Sequence, residues 1–180
     1  WELLNNRLEN SAEGIVKLLL QNRNIKTKQE IDNFINPKDP EKIKFKDLGI
    51  TDKLLKQVIK RLELAKKNKE KIIIYGDYDA DGVCATAILW EAMYKLGYDV
   101  MPFIPDRFED GYGIKAESVQ RLKDQDDKLS LIITVDNGIV GYEGIEKAKK
   151  LGIDVIVVEH NQKGESKLAT NYVLHSTLVC

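Results

Sequence analysis

From residue 71 onward, short apolar runs alternate with amphipathic stretches, and this alternation most restricts what the chain can fold into. Ile72, Ile73, Ile74 and Tyr75 read as a buried strand. Residues 100–104, 131–135 and 155–158 repeat that pattern, with 172–174 as a candidate fifth strand. Between them, residues 83–96 read as a helix stopped by Gly97, and 115–122 as a second helix. Tyr142, Ile145, Ala148 and Leu151 mark a third, stopped by Gly152. Strands without a polar face, joined by helices with one apolar face, predict an α/β domain: a parallel sheet with helices on both faces.

Residues 1–70 read differently, as a helical amino-terminal segment. Ile15, Leu18 and Leu19 form one short stripe, and Ile31, Phe34 and Ile35 another. Thr51 caps a helix reaching about Lys69, with Leu54, Leu55, Val58, Ile59, Leu62 and Ala65 on its apolar face. The expected organisation is therefore a helical segment over 1–70 and an α/β domain over 71–180.

Charge follows the same division. Residues 1–71 hold 17 Lys+Arg against 11 Asp+Glu, whereas residues 72–180 hold 11 against 18. A basic front and an acidic back suit a metal-binding core beside a surface that attracts phosphate, although lysines on a helix are also ordinary solvated surface. No apolar run approaches the roughly 20 residues of a membrane span. Cys84 and Cys180 lack zinc-ligand spacing, and Cys84 reads as a small core residue at a helix start. A reducing cytoplasm is the simplest setting. Trp1 and Cys180 both read as cut ends, the first because it lacks an initiator Met and any signal-peptide layout.

In an open α/β sheet, ligands bind beyond the carboxyl ends of the strands. Here the first strand leads into Asp77, Asp79 and Asp81, the second into Asp106, Arg107, Glu109 and Asp110, the third into Asp136 and Asn137, and the fourth into Glu159, His160 and Asn161. So many carboxylates at one edge repel unless cations offset them. Oxygen donors with one imidazole suit Mn²⁺ or Mg²⁺. Two such ions about 3.5–4 Å apart fit a phosphodiester and acidify water for in-line attack. A calcium loop fails as the alternative, because the position that needs Glu is Ile88. Asp136 reads as a metal ligand or a helix cap, His160 as a ligand or plain polar surface, and Arg107 as a phosphate contact or a surface charge. Gly111 and Gly113 read first as backbone freedom around Tyr112, and second as a close approach to substrate.

Three segments resemble the motifs of the DHH phosphoesterases, in the form of the RecJ-type single-strand-specific 5′→3′ DNA exonucleases. They are Tyr75-Gly76-Asp77-Tyr78-Asp79-Ala80-Asp81-Gly82-Val83, Pro105-Asp106-Arg107-Phe108-Glu109-Asp110-Gly111-Tyr112-Gly113 and Thr134-Val135-Asp136-Asn137-Gly138. Asn36-Pro37 and Leu174-His175-Ser176 also resemble that branch. The resemblance implies a Rossmann-like domain and metal-dependent phosphodiester hydrolysis of single-stranded DNA in repair and recombination, with no membrane role. It implies Mn²⁺ or Mg²⁺ held by Asp77, Asp79, Asp81, Asp136 and His160. Of these, Asp79, Asp81, Asp136 and His160 would be catalytic, while Arg107, Gly111, Tyr112 and Asn137 would bind substrate. Two departures bear on activity. The Asp-His-His triplet reads Glu159-His160-Asn161, one residue a methylene too long and another without an imidazole. The resemblance also places a fourth acidic motif and a second domain beyond residue 180. Alternatives are a related enzyme acting on short oligonucleotides or nucleoside phosphates, and a catalytically impaired relative that binds nucleic acid or protein.

Overall fold

The computed structural model describes residues 11–160, 170 and 172–175. Trp1, Asn161, Ser176 and Cys180 lie outside the described residues. The chain divides into two compact units, residues 1–43 and 44–180. In the first, α1 (Ala12–Asn22) begins where the Ser11 hydroxyl accepts the Gly14 amide, and α2 (Lys28–Ile35) begins at a reciprocal cap between Thr27 and Glu30. Both helices coincide with the two short apolar stripes.

The second unit is a five-stranded, fully parallel sheet in the order β2-β1-β3-β4-β5. Its strands are β1 (Lys71–Tyr75), β2 (Val100–Phe103), β3 (Leu129–Val135), β4 (Asp154–Glu159) and β5 (Tyr172–His175). The helices are α3 (Asp52–Asn68), α4 (Ala80–Lys95), α5 (Ala116–Gln125) and α6 (Tyr142–Lys150). Side-chain alternation along β1 sends Ile72 and Ile74 to one face and Ile73 and Tyr75 to the other. The first face meets Val58 and Ala65 of α3 and Met93 of α4; the second meets Val119 and Leu122 of α5 and Ile145 and Ala148 of α6. Both faces are covered, as the alternation requires. Each strand isoleucine so buried contributes about 1.5–3 kcal/mol. Among the described residues, no helix is long and apolar enough to cross a membrane.

Several sequence expectations shift. By packing, α3 belongs with the sheet, so the compact units part at 43/44 and not at 70/71. Ile59 is exposed, because the helical stripe that meets the sheet runs through Leu54, Val58, Leu62 and Ala65. Helix α4 starts at Ala80 and not at Val83, because the Asp79 carboxylate caps it. Cys84 lies off the buried face of α4, which runs through Gly82, Thr86 and Met93, and it is exposed, not in the core.

The amino edge of the sheet is closed by Arg61. This buried α3 residue donates from Nε to Asp154 at 2.5 Å, and from Nη2 to Glu70 at 2.7 Å and the Ser130 carbonyl at 3.1 Å. Ser130 sits where the β1–β3 register slips, between the pairs Lys71–Leu129 and Ile72–Leu131. The slip sends Leu129 to one face and Leu131 to the other, although they are two residues apart. Replacing Arg61→Ala strands the Glu70 carboxylate, which is largely buried. The expected loss is roughly 2–3 kcal/mol of unfolding free energy, read as a lower urea midpoint at unchanged slope.

Candidate metal centre

The chain leaves β1 toward β2 on one side and returns to β3 on the other, so the strand order reverses between β1 and β3. A crevice forms at the carboxyl ends of strands at such a reversal. The loop after β1 carries Asp77 and Asp79 into it, and the turn after β3 carries Asp136. Asn137 holds the two strand ends together. It is fully buried, and its Nδ2 donates to the carbonyls of Gly76 at 2.6 Å, Tyr75 at 3.2 Å and Val135 at 3.3 Å. The amide expected to contact substrate is instead an internal tie, because its donors are already engaged with backbone.

Asp77 is buried, and its Oδ1 accepts the Tyr78 amide at 2.8 Å. Burial pushes its carboxyl above the ordinary range, and the charges of Asp79 and Glu159 push the same way. Asp79 is exposed and accepts the Gly82 amide at 2.9 Å as the α4 cap. Gly82 is essential to this approach, since a Cβ there would lie 2.6 Å from the Asp77 backbone nitrogen. In the sequence Gly82 stood only as part of the first motif, and this packing role was not read from it.

Asp136 takes a left-handed backbone, φ 56°, and its Oδ1 lies 3.1 Å from His160 Nε2. Burial raises its carboxyl as well; the His160 contact opposes that, and Asp79 and Glu159 reinforce it. Glu159 is buried, and its Oε1 accepts the His160 amide at 2.9 Å. Its carboxylate, the Asp136 carboxylate and a His160 ring nitrogen supply ligand atoms that all lie within 4.8 Å of one another. The extra methylene was expected to misplace the carboxylate. The side chain bends toward the next residue's amide and stays beside Asp136 and His160.

Tyr112 completes the ring. Partial burial raises its phenol, and the negative charges of Asp77, Glu159, Asp136 and Asp79 push it the same way. Gly111 and Gly113 on either side have φ of 71° and 78°. Open space lies where a Cβ on Gly111 would sit, so within the fold it is the positive φ that favours glycine there. Exposed Arg107 lies over the Tyr78 ring, 5.5 Å from its centroid, beside the acidic loop. Asp81 lies exposed in the first turn of α4 and makes no side-chain hydrogen bond or ion pair among the described residues.

The acids after β2 do not join the cluster. Asp106 Oδ1 accepts the amides of Phe108 and Glu109, and Asp110 Oδ2 accepts the Asp106 amide. Asp110 Oδ1 also accepts from Ser118 and from Arg121, both at 2.7 Å. These two carboxylates build the loop that presents Arg107 and Tyr112. Elsewhere Asp77, Asp79, Asp136, Glu159 and His160 supply hard oxygen donors and one imidazole; Asp136, Glu159 and His160 lie close enough to share an ion, and burial first, then neighbouring charge, raises the carboxyls of Asp77 and Asp136. That donor set fits Mn²⁺ or Mg²⁺.

Residues 71–178 match the DHH family, N-terminal domain. The chain belongs to the DHH family. It is 37% identical over 161 residues to the single-stranded-DNA-specific exonuclease RecJ of Bacillus subtilis, covering 89% of this chain and 20% of that protein. To the Escherichia coli RecJ it is 33% identical over 165 residues, covering 91% of this chain and 27% of that one. Its fold matches a crystal structure of exonuclease RecJ bound to manganese with a TM-score of 0.60 at 37% identity, over 67% of this chain and 30% of that one. The chain thus spans less than a third of the length of each of these relatives.

Asp110 provides a pH test of the second-motif loop. Burial alone would raise its carboxyl, but the bonds from Ser118 and Arg121 outweigh burial and hold it below the ordinary range. A depressed carboxyl stabilises the fold above its unfolded value, near 3.9, and that contribution vanishes as pH falls through the folded value. Asp110→Asn should therefore cost about 1–2 kcal/mol at neutral pH. In urea titrations across pH, its gap from the parent protein should close in acid.

Proposed function

We propose that this domain carries the metal-dependent half of a phosphodiester-hydrolysing site, acting on single-stranded DNA as an exonuclease in repair and recombination. The observation that carries the reading is the convergence of Asp77, Asp79, Asp136, Glu159 and His160 in the β1/β3 crevice. The similarity to RecJ exonucleases, one of them solved with manganese, supports the substrate and the metal. When bound, Mn²⁺ or Mg²⁺ would supply positive charge for the phosphodiester and acidify water for attack.

The residues' own contributions follow from their positions. Asp77, Asp79, Asp136 and His160 would hold the cation, with Glu159 in the place of the family's aspartate. Asp81, one turn into α4, is the remaining proposed ligand. Arg107 beside the acidic loop suits a phosphate of the strand. Tyr112, half-exposed on the loop after β2, would orient a group bound there. Lys53, Lys56 and Lys60 line one shallow groove on α3, a basic surface of the kind that follows a nucleic-acid backbone.

A second reading, an impaired relative that binds without turnover, is favoured by Asn161 alone. An amide there provides neither an imidazole donor nor a proton acceptor near neutral pH.

Calorimetric Mn²⁺ titration tests the first reading. Asp136→Ala should abolish binding, and retained affinity would remove Asp136 from the ligand set. Glu159→Asp combined with Asn161→His should raise Mn²⁺ affinity by about tenfold. An unchanged affinity would mean that the altered triplet does not weaken the site.

A further inference from the structure

Phe108 is 94% exposed, the most exposed large hydrophobic side chain among the described residues. A solitary exposed apolar residue is ordinary on a protein surface. Its presentation is not ordinary, because the loop that carries it is pinned at both ends. The Phe108 amide donates to Asp106 Oδ1 at 2.7 Å, and the Glu109 amide to the same atom at 3.0 Å. The Asp106 carbonyl accepts the amides of Asp110 at 2.8 Å and Gly111 at 3.2 Å. Asp110 then anchors the turn to α5 through Ser118 and Arg121. The aromatic ring is therefore held out into solvent by a closed set of hydrogen bonds.

Its neighbours point to what covers it. Arg107, the preceding residue, lies over the ring of Tyr78, which follows Asp77 of the carboxylate cluster. Farther along the same loop, Tyr112 is half-exposed. Tyr78, Phe108 and Tyr112 thus place three aromatic rings, with one guanidinium among them, on two adjacent loops at the rim of the crevice. Aromatic rings interleaved with a cation are what a single strand uses, since bases stack on the rings and the cation meets phosphate. The lysine-rich helix α3 lacks such rings on its basic groove.

We propose that Phe108 is a stacking platform for a nucleobase of the single strand whose backbone enters the carboxylate crevice. The inference rests on the functional reading above and extends it to a residue outside the metal set. Phe108 selects strands with unpaired, exposed bases, because a base held in a duplex has no free face to offer.

Binding by the whole chain tests this, with Ca²⁺ replacing Mn²⁺ to keep the strand intact. The probes are a fluorescein-labelled oligothymidylate and an abasic oligomer of the same length, read by anisotropy. Phe108→Ala should weaken oligothymidylate about tenfold and leave the abasic oligomer unchanged, while Phe108→Trp retains the parent affinity. With so exposed a side chain, the alanine variant should keep the parent's thermal midpoint. Parent-like binding of oligothymidylate by Phe108→Ala, or equal weakening of both oligomers, overturns the proposal. A parent protein that binds Mn²⁺ in calorimetry but neither oligomer also overturns it and leaves the metal site standing. Failure to bind metal and oligomer alike defeats the functional reading and this inference with it.

Discussion

Asp77, Asp79, Asp136 and Glu159 repel one another, yet the ends of three parallel strands and one buried amide keep them in a single crevice. The amide belongs to Asn137, which bonds the last carbonyls of β1 from the turn after β3. Its three backbone contacts fix the separation of the two acidic loops, and burial keeps water from competing for them. Gly82 lets the first turn of α4 settle against Asp77, so that loop has no room to withdraw. The repulsion is consequently held in the fold. A cation relieves it, and the same repulsion then favours cation binding.

The two edges of the sheet answer the same electrostatic problem in opposite ways. At the amino edge, Glu70 and Asp154 meet the guanidinium of Arg61, a positive charge supplied by the chain itself. At the carboxyl edge, Asp77, Asp79 and Asp136 have no Lys or Arg ion pair among the described residues, and Asp136 has only His160. One edge is internally neutralised and serves stability. The other leaves its charge to be met from outside, which is how a fold separates a structural end from a reactive one.

Much of this was legible in the sequence, because it depends on periodicity and on strand ends. Apolar runs such as 72–75 have no polar face, so they could only be central parallel strands, and residues following parallel strands must share an edge. What stayed illegible depends on which side chain meets which backbone group. Asp79 and Asp110 look alike in sequence, but one caps α4 inside the crevice and the other ties a loop to α5. Asn137 follows a candidate ligand and so resembled a substrate contact; only its depth shows it to be a tie. Cys84 lies outside the α4 face of Gly82, Thr86 and Met93 that meets the rest of the fold, so it is exposed. Side-chain length is a poor guide to reach when a chain can fold back, and Glu159 does so through its own neighbour's amide.

Asp136 shows what placing a carboxylate in the crevice demands of the backbone. Its φ of 56° lies in the left-handed region, where an L residue with a Cβ is disfavoured by about 1–2 kcal/mol. Asp and Asn tolerate that conformation better than most residues, and glycine would occupy it freely. Glycine, however, would bring no carboxylate to His160. The turn that makes this angle also points Asn137 inward to bond the end of β1. One strained residue therefore sets both the carboxylate beside His160 and the tie that holds the strand ends together. Relieving the strain by substitution would remove the charge, and restoring the charge one position later would break the tie. The chemistry and the packing of the β3 turn are for this reason inseparable at residues 136 and 137.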